Sequence, residues 1–378
     1  MPLCIRAALL FSTHRIKYYL LCSYMKNVLV LFAILCTLTA FTQTQPRFIF
    51  KNHRDGYNMF RIPAVVATHS GKLLAFCEGR NSLMDHGDID LVMKTSADNG
   101  QTWSNLQVIW NEGSNTCGNP SPVVDKVTGD ILVLVTLNND KVLLLRSTNE
   151  GANWQPPVDI TTAVKPEGWQ WYATGPGHCI QLQGGLYTNR IVVPCNHTTT
   201  QNSKHVSHCI YTDDAGKTWH TGGSVSADKT DECTVAELSN GSLLLNMRNN
   251  QRPLPNRKTA TSTNGGLTWS TPLYDSTLIE PVCEGSLLSY TPVPGLLLFC
   301  NPAHTTKRKN LTLYVSYNNG TTWSNKIVLH KKLSAYSDIT VLPNGDVLCL
   351  FETGKLLPYG GIAITTISKQ KITEGTKP

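Results

Sequence analysis

Three arginines in this chain stand in strand-like surroundings. Arg61 interrupts the apolar run of "YNMFRIPAVV", Arg248 ends "GSLLLNMRNN", and Arg308 lies just before "NLTLYVS" with Lys307 and Lys309 on either side. A guanidinium among apolar neighbours is costly unless an anion completes it. Its planar fork matches a carboxylate best, whether that belongs to an internal acid or to a ligand. The acids in reach of such a role fall in three stretches. "EGRNSLMDHGDIDLV" offers Asp85, Asp88 and Asp90 soon after Arg80; "DECTVAELSNG" offers Glu232 and Glu237; "LCLFETG" offers Glu352. A carboxyl carried on a loop can approach and leave a reacting oxygen. Tyr336, in "LSAYSDITV", supplies a phenol that a neighbouring base could activate. Taken singly, each of these arginines is an ordinary salt-bridge residue and Tyr336 an ordinary strand-end tyrosine.

What must position them is visible as a repeat. The octapeptides "SADNGQTW" (96–103), "STNEGANW" (147–154), "TDDAGKTW" (212–219), "STNGGLTW" (262–269) and "SYNNGTTW" (316–323) share one plan. Their glycines Gly100, Gly151, Gly216, Gly266 and Gly320 are 51, 65, 50 and 54 residues apart. A period near 50 marks a repeat architecture. A short strand runs into an Asp or Asn that can accept from backbone N–H groups, glycine supplies a positive φ, and tryptophan anchors the turn. The second copy is degenerate, with Asn149 and Asn153 in place of Asp and Thr. Five turns in register predict an all-β fold, a β-propeller of four-stranded antiparallel blades. Glu232 and Arg248 lie sixteen residues apart across a predicted hairpin, so both can face one channel.

Bulk properties narrow the class. The chain has 378 residues, 41% hydrophobic and 16% charged, with a formal net charge of +7. Residues 1–46 contain Arg6, Arg15, Lys17 and Lys26 and no acid, so the remainder carries 29 bases against 26 acids, or +3. That balance is too mild and too scattered for a nucleic-acid-binding protein. From Met25, a lysine, an apolar run from Val28 to about Phe41 and small polar residues follow the signal-peptide layout. The run is short for a spanning helix. We expect residues 1–42 to be a leader, with 1–24 an upstream extension, residues 47–372 to form the propeller and 373–378 a tail. Secretion follows from that layout, with membrane contact only through a leader left uncleaved. Of twelve cysteines, three fall in the leader, and the remaining nine cannot all pair. "CNHTTTQNSKHVSHC" gathers Cys195, His197, His205, His208 and Cys209 but lacks a standard zinc spacing. No metal and no cofactor is expected.

The octapeptides and "FRIP" resemble the Asp boxes and the opening motif of the sialidase (neuraminidase) family, and the resemblance runs from about Arg47 to the end. It implies six blades, one of them without a recognisable box. It also implies an arginine triad, Arg61, Arg248 and Arg308, that holds the carboxylate of a sialic acid; the R-x-N-L-T spacing selects Arg308 over its lysine neighbours. Sialidases are an exception among glycosidases in using a tyrosine nucleophile, because a second carboxylate beside the substrate's own would be repelled. Tyr336, followed by Ser337 and Asp338, resembles that nucleophile, and Glu232 resembles the carboxylate that activates it. Asp85, five residues after Arg80, resembles the acid/base. Arg80 resembles the arginine near the sugar 4-hydroxyl, and Glu352 the carboxylate that braces the first arginine.

The function implied is retaining exo-α-sialidase activity on sialylated glycoproteins, gangliosides or oligosaccharides. The alternatives are a trans-sialidase, or an inactive sialic-acid-binding propeller. The stretches Trp169 to Leu182 and Val192 to Thr200 resemble loops lining the acyl and glycerol pockets. Four N-glycosylation sequons begin at Asn196, Asn240, Asn310 and Asn319. A glycan at Asn196 or Asn310 is expected to obstruct the pocket.

Overall fold

A computed structural model describes residues 46–200, 203–252 and 254–374. The expected leader lies outside the described residues, as do residues 375–378 of the expected tail. β1 (Arg47–Lys51) precedes a four-stranded meander of β2 (Met59–Ala67), β3 (Leu73–Arg80), β4 (Ile89–Ser96) and β5 (Gln107–Trp110). The second sheet is β6 (Cys117–Val124), β7 (Ile131–Leu137), β8 (Lys141–Ser147) and β9 (Val158–Asp159). The third has five strands, β10 (Trp169–Thr174), β11 (Ile180–Gln181), β12 (Ile191–Thr199), β13 (His205–Thr212) and β14 (His220–Ser224), with β10 and β11 both paired to β12. The fourth is β15 (Thr230–Glu237), β16 (Leu243–Asn249), β17 (Asn256–Ser262) and β18 (Leu273–Ile279).

The last sheet has seven strands: β19 (Ser286–Ser289), β20 (Leu297–Pro302), β21 (Lys309–Ser316), β22 (Asn325–Val341), β23 (Val347–Thr353), β24 (Gly361–Ile367) and, at its edge, β1. All pairings between named strands are antiparallel. Four sheets therefore stand as separate blades of an all-β propeller-like fold. The four-stranded expectation holds for three of them and fails at the third and at the last. The reason in the last is β22, whose 17 residues contain no Gly or Pro to break the strand. Asn325–Leu333 pairs with β21 and Ser334–Val341 with β23. Strands β2, β6, β10, β12, β15, β19 and β22 neighbour one another in turn, and β2 meets β22 to close the ring.

The five octapeptide turns fold alike. Ser96 Oγ accepts from Gly100 N at 2.9 Å, and Asp98 accepts from Thr102 N at 2.8 Å and from its hydroxyl at 2.6 Å. The same bonds to backbone recur at Ser147 and Asn149, Thr212 and Asp214, Ser262 and Asn264, and Ser316 and Asn318. Each turn takes two consecutive residues to positive φ, as at Asn99 (57°) and Gly100 (80°). Those glycines also bring the blades together. A methyl group added at Gly100, Gly151 or Gly320 would lie 2.7, 2.5 or 2.8 Å from Leu348 of β23, Leu74 of β3 or Leu244 of β16, each in a neighbouring sheet. The tryptophans pack into the apolar clusters between sheets, Trp219 and Trp323 fully so. A ring of strands locked in this way leaves a rigid axis around which side chains can be fixed.

Candidate active site

A strand that keeps its register alternates sides, so its neighbours cannot both face one cavity. A β-bulge lifts that restriction and re-aims side chains. Five strands around the axis carry such a break: between Arg61 and Ala64 in β2, Gly118 and Ser121 in β6, Trp169 and Tyr172 in β10, Thr230 and Cys233 in β15, and Ser334 and Ser337 in β22. Ile62, Asn119, Trp171, Asp231, Glu232 and Tyr336 fall inside them and Arg61 bounds the first, and all seven line one cavity of about 320 Å³. Ile62 takes φ 62° there, a conformation a β-branched residue adopts only under constraint. Its N–H donates to Glu352 at 3.0 Å, which is part of that constraint.

Arg61 is 7% exposed, and Glu352 is fully buried behind it. Arg61 Nε and Nη2 donate to the two Glu352 oxygens at 3.1 and 3.3 Å. Burial disfavours the guanidinium charge, but Glu352 and the Tyr336 and Tyr359 rings outweigh it, so the group stays firmly protonated. Its plane lies over both rings, 5.0 and 4.6 Å from the centroids. Arg248 Nη1 donates to Glu232 at 2.6 Å and to the Tyr336 hydroxyl at 3.1 Å. Arg308 sits immediately before β21, donates to the Tyr359 hydroxyl at 3.0 Å and to the Val282 carbonyl at 2.9 Å, and faces the Tyr336 ring. The structure thus brings all three arginines around one phenol. Lys307 is exposed.

Tyr336 donates its hydroxyl proton to Glu232 in a short bond. Burial and the Glu232 charge push the phenol well above its usual range, against the pull of the three arginines. Asp85 projects from the loop between β3 and β4 with its side chain 77% exposed, 2.7 Å from Arg80 Nη1 and 3.4 Å from Arg61 Nη1. Partial burial works to raise its carboxyl, yet the bond to Arg80 and the charges of Arg80, Arg61 and Arg308 hold it below the ordinary carboxylate range. The competing acids lie elsewhere. Asp88 accepts from Asn81, and Asp90 from the Tyr57 hydroxyl. Glu237, at the far end of β15, accepts from Gln183 and Gly184 N–H groups. It lines a separate depression of about 700 Å³ with Val66, Val124 and Thr340, which holds none of the predicted site residues.

Several members of the site were not foreseen. Glu78 is buried beside Arg80, accepts its Nε–H at 2.7 Å and takes the Asn119 N–H at 2.8 Å. Gly118 is needed there, since a methyl group on it would lie 2.5 Å from the Glu78 carboxylate. Asp231, next to Glu232, accepts from Asn196 at 2.6 Å and Asn250 at 2.5 Å, and lies 3.9 Å from Arg248. Burial, and then the Glu232 charge, raise its carboxyl. Tyr359 links Arg61 to Arg308. The only sequence signal for these was adjacency: Glu78 and Asp231 stand two and one residues from predicted site residues. Of the stretches expected to line the pocket, Trp171 and Thr198 do so, and His205, outside both stretches, lines it with them. Asn196 is 1% exposed and committed to Asp231. His197 and His208 pack in an aromatic stack with Trp169 and Tyr172, where burial lowers the His197 imidazole to about 4. All nine described cysteines are buried and unpaired.

Comparison with known proteins points to one family. The BNR repeat-like domain matches residues 71–349. The exo-alpha-sialidase of Arthroderma benhamiae is 31% identical over 299 residues, covering 69% of this chain and 68% of that one. The sialidase of Micromonospora viridifaciens is 31% identical over 342 residues, covering 82% of this chain but about half, 52%, of its own length. Among solved structures, a Hadza microbial sialidase superimposes with a TM-score of 0.79 at 28% identity, over 87% of this chain and 69% of that one. With the propeller, the repeat and these relatives in agreement, the chain belongs to the sialidase family of glycoside hydrolases.

Proposed function

We propose that the chain is a retaining exo-α-sialidase, and the observation that carries this is the Tyr336 hydroxyl held between Glu232 and Arg248 on the wall of an arginine-lined cavity. Arg61, Arg248 and Arg308 receive the substrate carboxylate. Glu232 takes the phenolic proton as Tyr336 Oη bonds to the anomeric carbon. The glycosidic C–O bond breaks, and Asp85 gives its proton to the departing oxygen. A water then attacks the same carbon and gives its proton to Asp85. The tyrosyl oxygen leaves and recovers its proton from Glu232. Two displacements at one carbon give net retention.

The electrostatics favour this order of events. Arg80 and Arg61 favour the ionised form of the Asp85 carboxyl in the free enzyme, and that form has no proton to give. A substrate carboxylate on Arg61 and Arg308 neutralises two of the cations responsible, so binding raises Asp85 toward the protonated state the first step requires. Arg80, anchored by Glu78, is placed to meet the sugar near its 4-hydroxyl. Dividing the seven-stranded sheet where β22 passes from β21 to β23 gives two blades, and so six in all. Secretion through the leader, with sialylated glycans as substrates, completes the reading.

The test is release of 4-methylumbelliferone from its α-sialoside by protein beginning near Gln43. Tyr336→Phe should lower turnover by orders of magnitude while a competitive ligand still binds. Wild-type-like hydrolysis by that variant would sink the assignment. Trp171, 41% exposed at the cavity edge, favours a second course in which an acceptor sugar replaces water. Product analysis with and without lactose separates the two.

A further inference from the structure

Beside Arg308 and Tyr359 the surface has a composition that hydrolysis of a soluble glycan does not need. From Gly285 to Ser337 the chain contains no Asp or Glu, but holds Lys307, Arg308, Lys309, Lys326, Lys331 and Lys332. The pairing of Lys309 with Leu333 brings the 307–309 segment beside Lys331 and Lys332, and the pairing of Ser334 with Thr353 brings the 354–360 loop, with exposed Lys355, to the same edge. That loop reaches the site itself, since Tyr359 touches Arg61 and Arg308. At its tip Leu356 is 92% and Leu357 56% exposed. On the other side of Arg61, the loop bearing Asp85 exposes Leu83 and Met84.

We infer that the mouth of the site docks on an anionic phospholipid bilayer, with Leu356 and Leu357 entering the headgroup region while Lys307, Lys331, Lys332 and Lys355 meet the lipid phosphates and carboxylates. The charge sign selects an anionic partner, and the paired leucines select a surface with an apolar layer beneath it. A soluble polyanion such as a sialylated mucin offers the first and not the second. Buried apolar area and lysine contacts add in this kind of interfacial binding. Docking in this orientation presents the cavity to sugars that stand on the same membrane, so the sialylated substrates would include glycolipids. That last step rests on the function proposed above, whereas the docking itself does not.

The experiment uses vesicles without any sialic acid. Sedimentation with phosphatidylcholine vesicles is compared with vesicles containing 30% phosphatidylserine, alongside release of 4-methylumbelliferone from the soluble sialoside. We expect binding to the anionic vesicles only, weakened by salt. Lys331→Gln with Lys332→Gln should lower the partition coefficient by about tenfold or more, at roughly 1 kcal/mol for each lysine near the surface. Leu356→Ser with Leu357→Ser should lower it comparably, and both pairs should leave hydrolysis of the soluble sialoside unchanged. Absence of binding to anionic vesicles, or equal binding by the leucine variant, overturns the inference. An inactive protein that still binds the anionic vesicles would overturn the proposed function and leave the docking standing.

Discussion

The brace behind Arg61 gives the sharpest test of the site's energetics. Among the described residues Glu352 is the sole buried counter-charge in contact with that guanidinium, because its other carboxylate neighbour, Asp85, has a side chain 77% exposed and lies 3.4 Å away. Replacing Glu352 with Gln keeps the shape but removes the charge and turns one acceptor into a donor facing Arg61 or the Ile62 N–H. Removing one partner of a buried pair costs about 3–5 kcal/mol. For a protein of this size the melting temperature should fall by roughly 5–10 °C. kcat/KM on the soluble sialoside should fall by about two orders of magnitude if the substrate contact of Arg61 weakens by ~3 kcal/mol, since 1.36 kcal/mol is worth tenfold. The companion variant adds Arg61→Met to Glu352→Gln, whose amide oxygen can still accept the Ile62 N–H. It should recover most of the lost stability, because neither buried charge is then left alone, and should recover no activity. Scanning calorimetry and steady-state kinetics on the three proteins decide the matter. A single variant that melts within a degree or two of wild type, or a double variant no more stable than the single one, refutes the reasoning.

Three further outcomes follow from the same structure. Asp85→Ala should slow a natural sialyl-oligosaccharide by about 10²–10⁴-fold, the usual contribution of a general acid; the 4-methylumbelliferyl sialoside, whose leaving group needs little protonation, should lose much less, and equal losses would remove Asp85 from that role. Glu284 accepts the Ser337 N–H and lies fully buried, where burial first, and then Glu232 and Asp338, raise its carboxyl well above the usual value. Its folded-state proton is therefore held more tightly than the unfolded one, so the native state binds more protons and stability falls as pH rises from the ordinary glutamate value through the raised one. Glu284→Gln should flatten that decline in a denaturant titration across pH, and an unchanged slope would show that Glu284 is ionised. Asn240 is exposed, whereas Asn196 donates to Asp231 inside the site. Protein secreted from a glycosylating host should carry glycan at Asn240 and none at Asn196 by peptide mass mapping, and an occupied Asn196 in active protein would contradict the site as described.

The sequence by itself determined the architecture's rhythm and the identity of the chemical groups. Five copies of one turn are local objects, each built from a side chain accepting backbone N–H groups a few residues on, so their fold is written within eight residues. The three arginines, Tyr336, Glu232, Asp85 and Glu352 could be named because their neighbours in sequence form recognisable motifs. The propeller class was legible for the same reason, but the strand count of two sheets was not. Whether β22 breaks after Leu333 depends on packing along its whole length, and no local turn signal marks the crossing. Only the tertiary structure decided what each group touches. Arg61 and Glu352 are 291 residues apart, and Tyr336 and Glu232 are 104 apart. Contacts at such separations depend on the register of every intervening strand. The structure alone also disclosed the bulges that turn seven side chains into one cavity, and the supporting acids Glu78 and Asp231. A bulge is a property of two paired strands, so neither strand's sequence contains it.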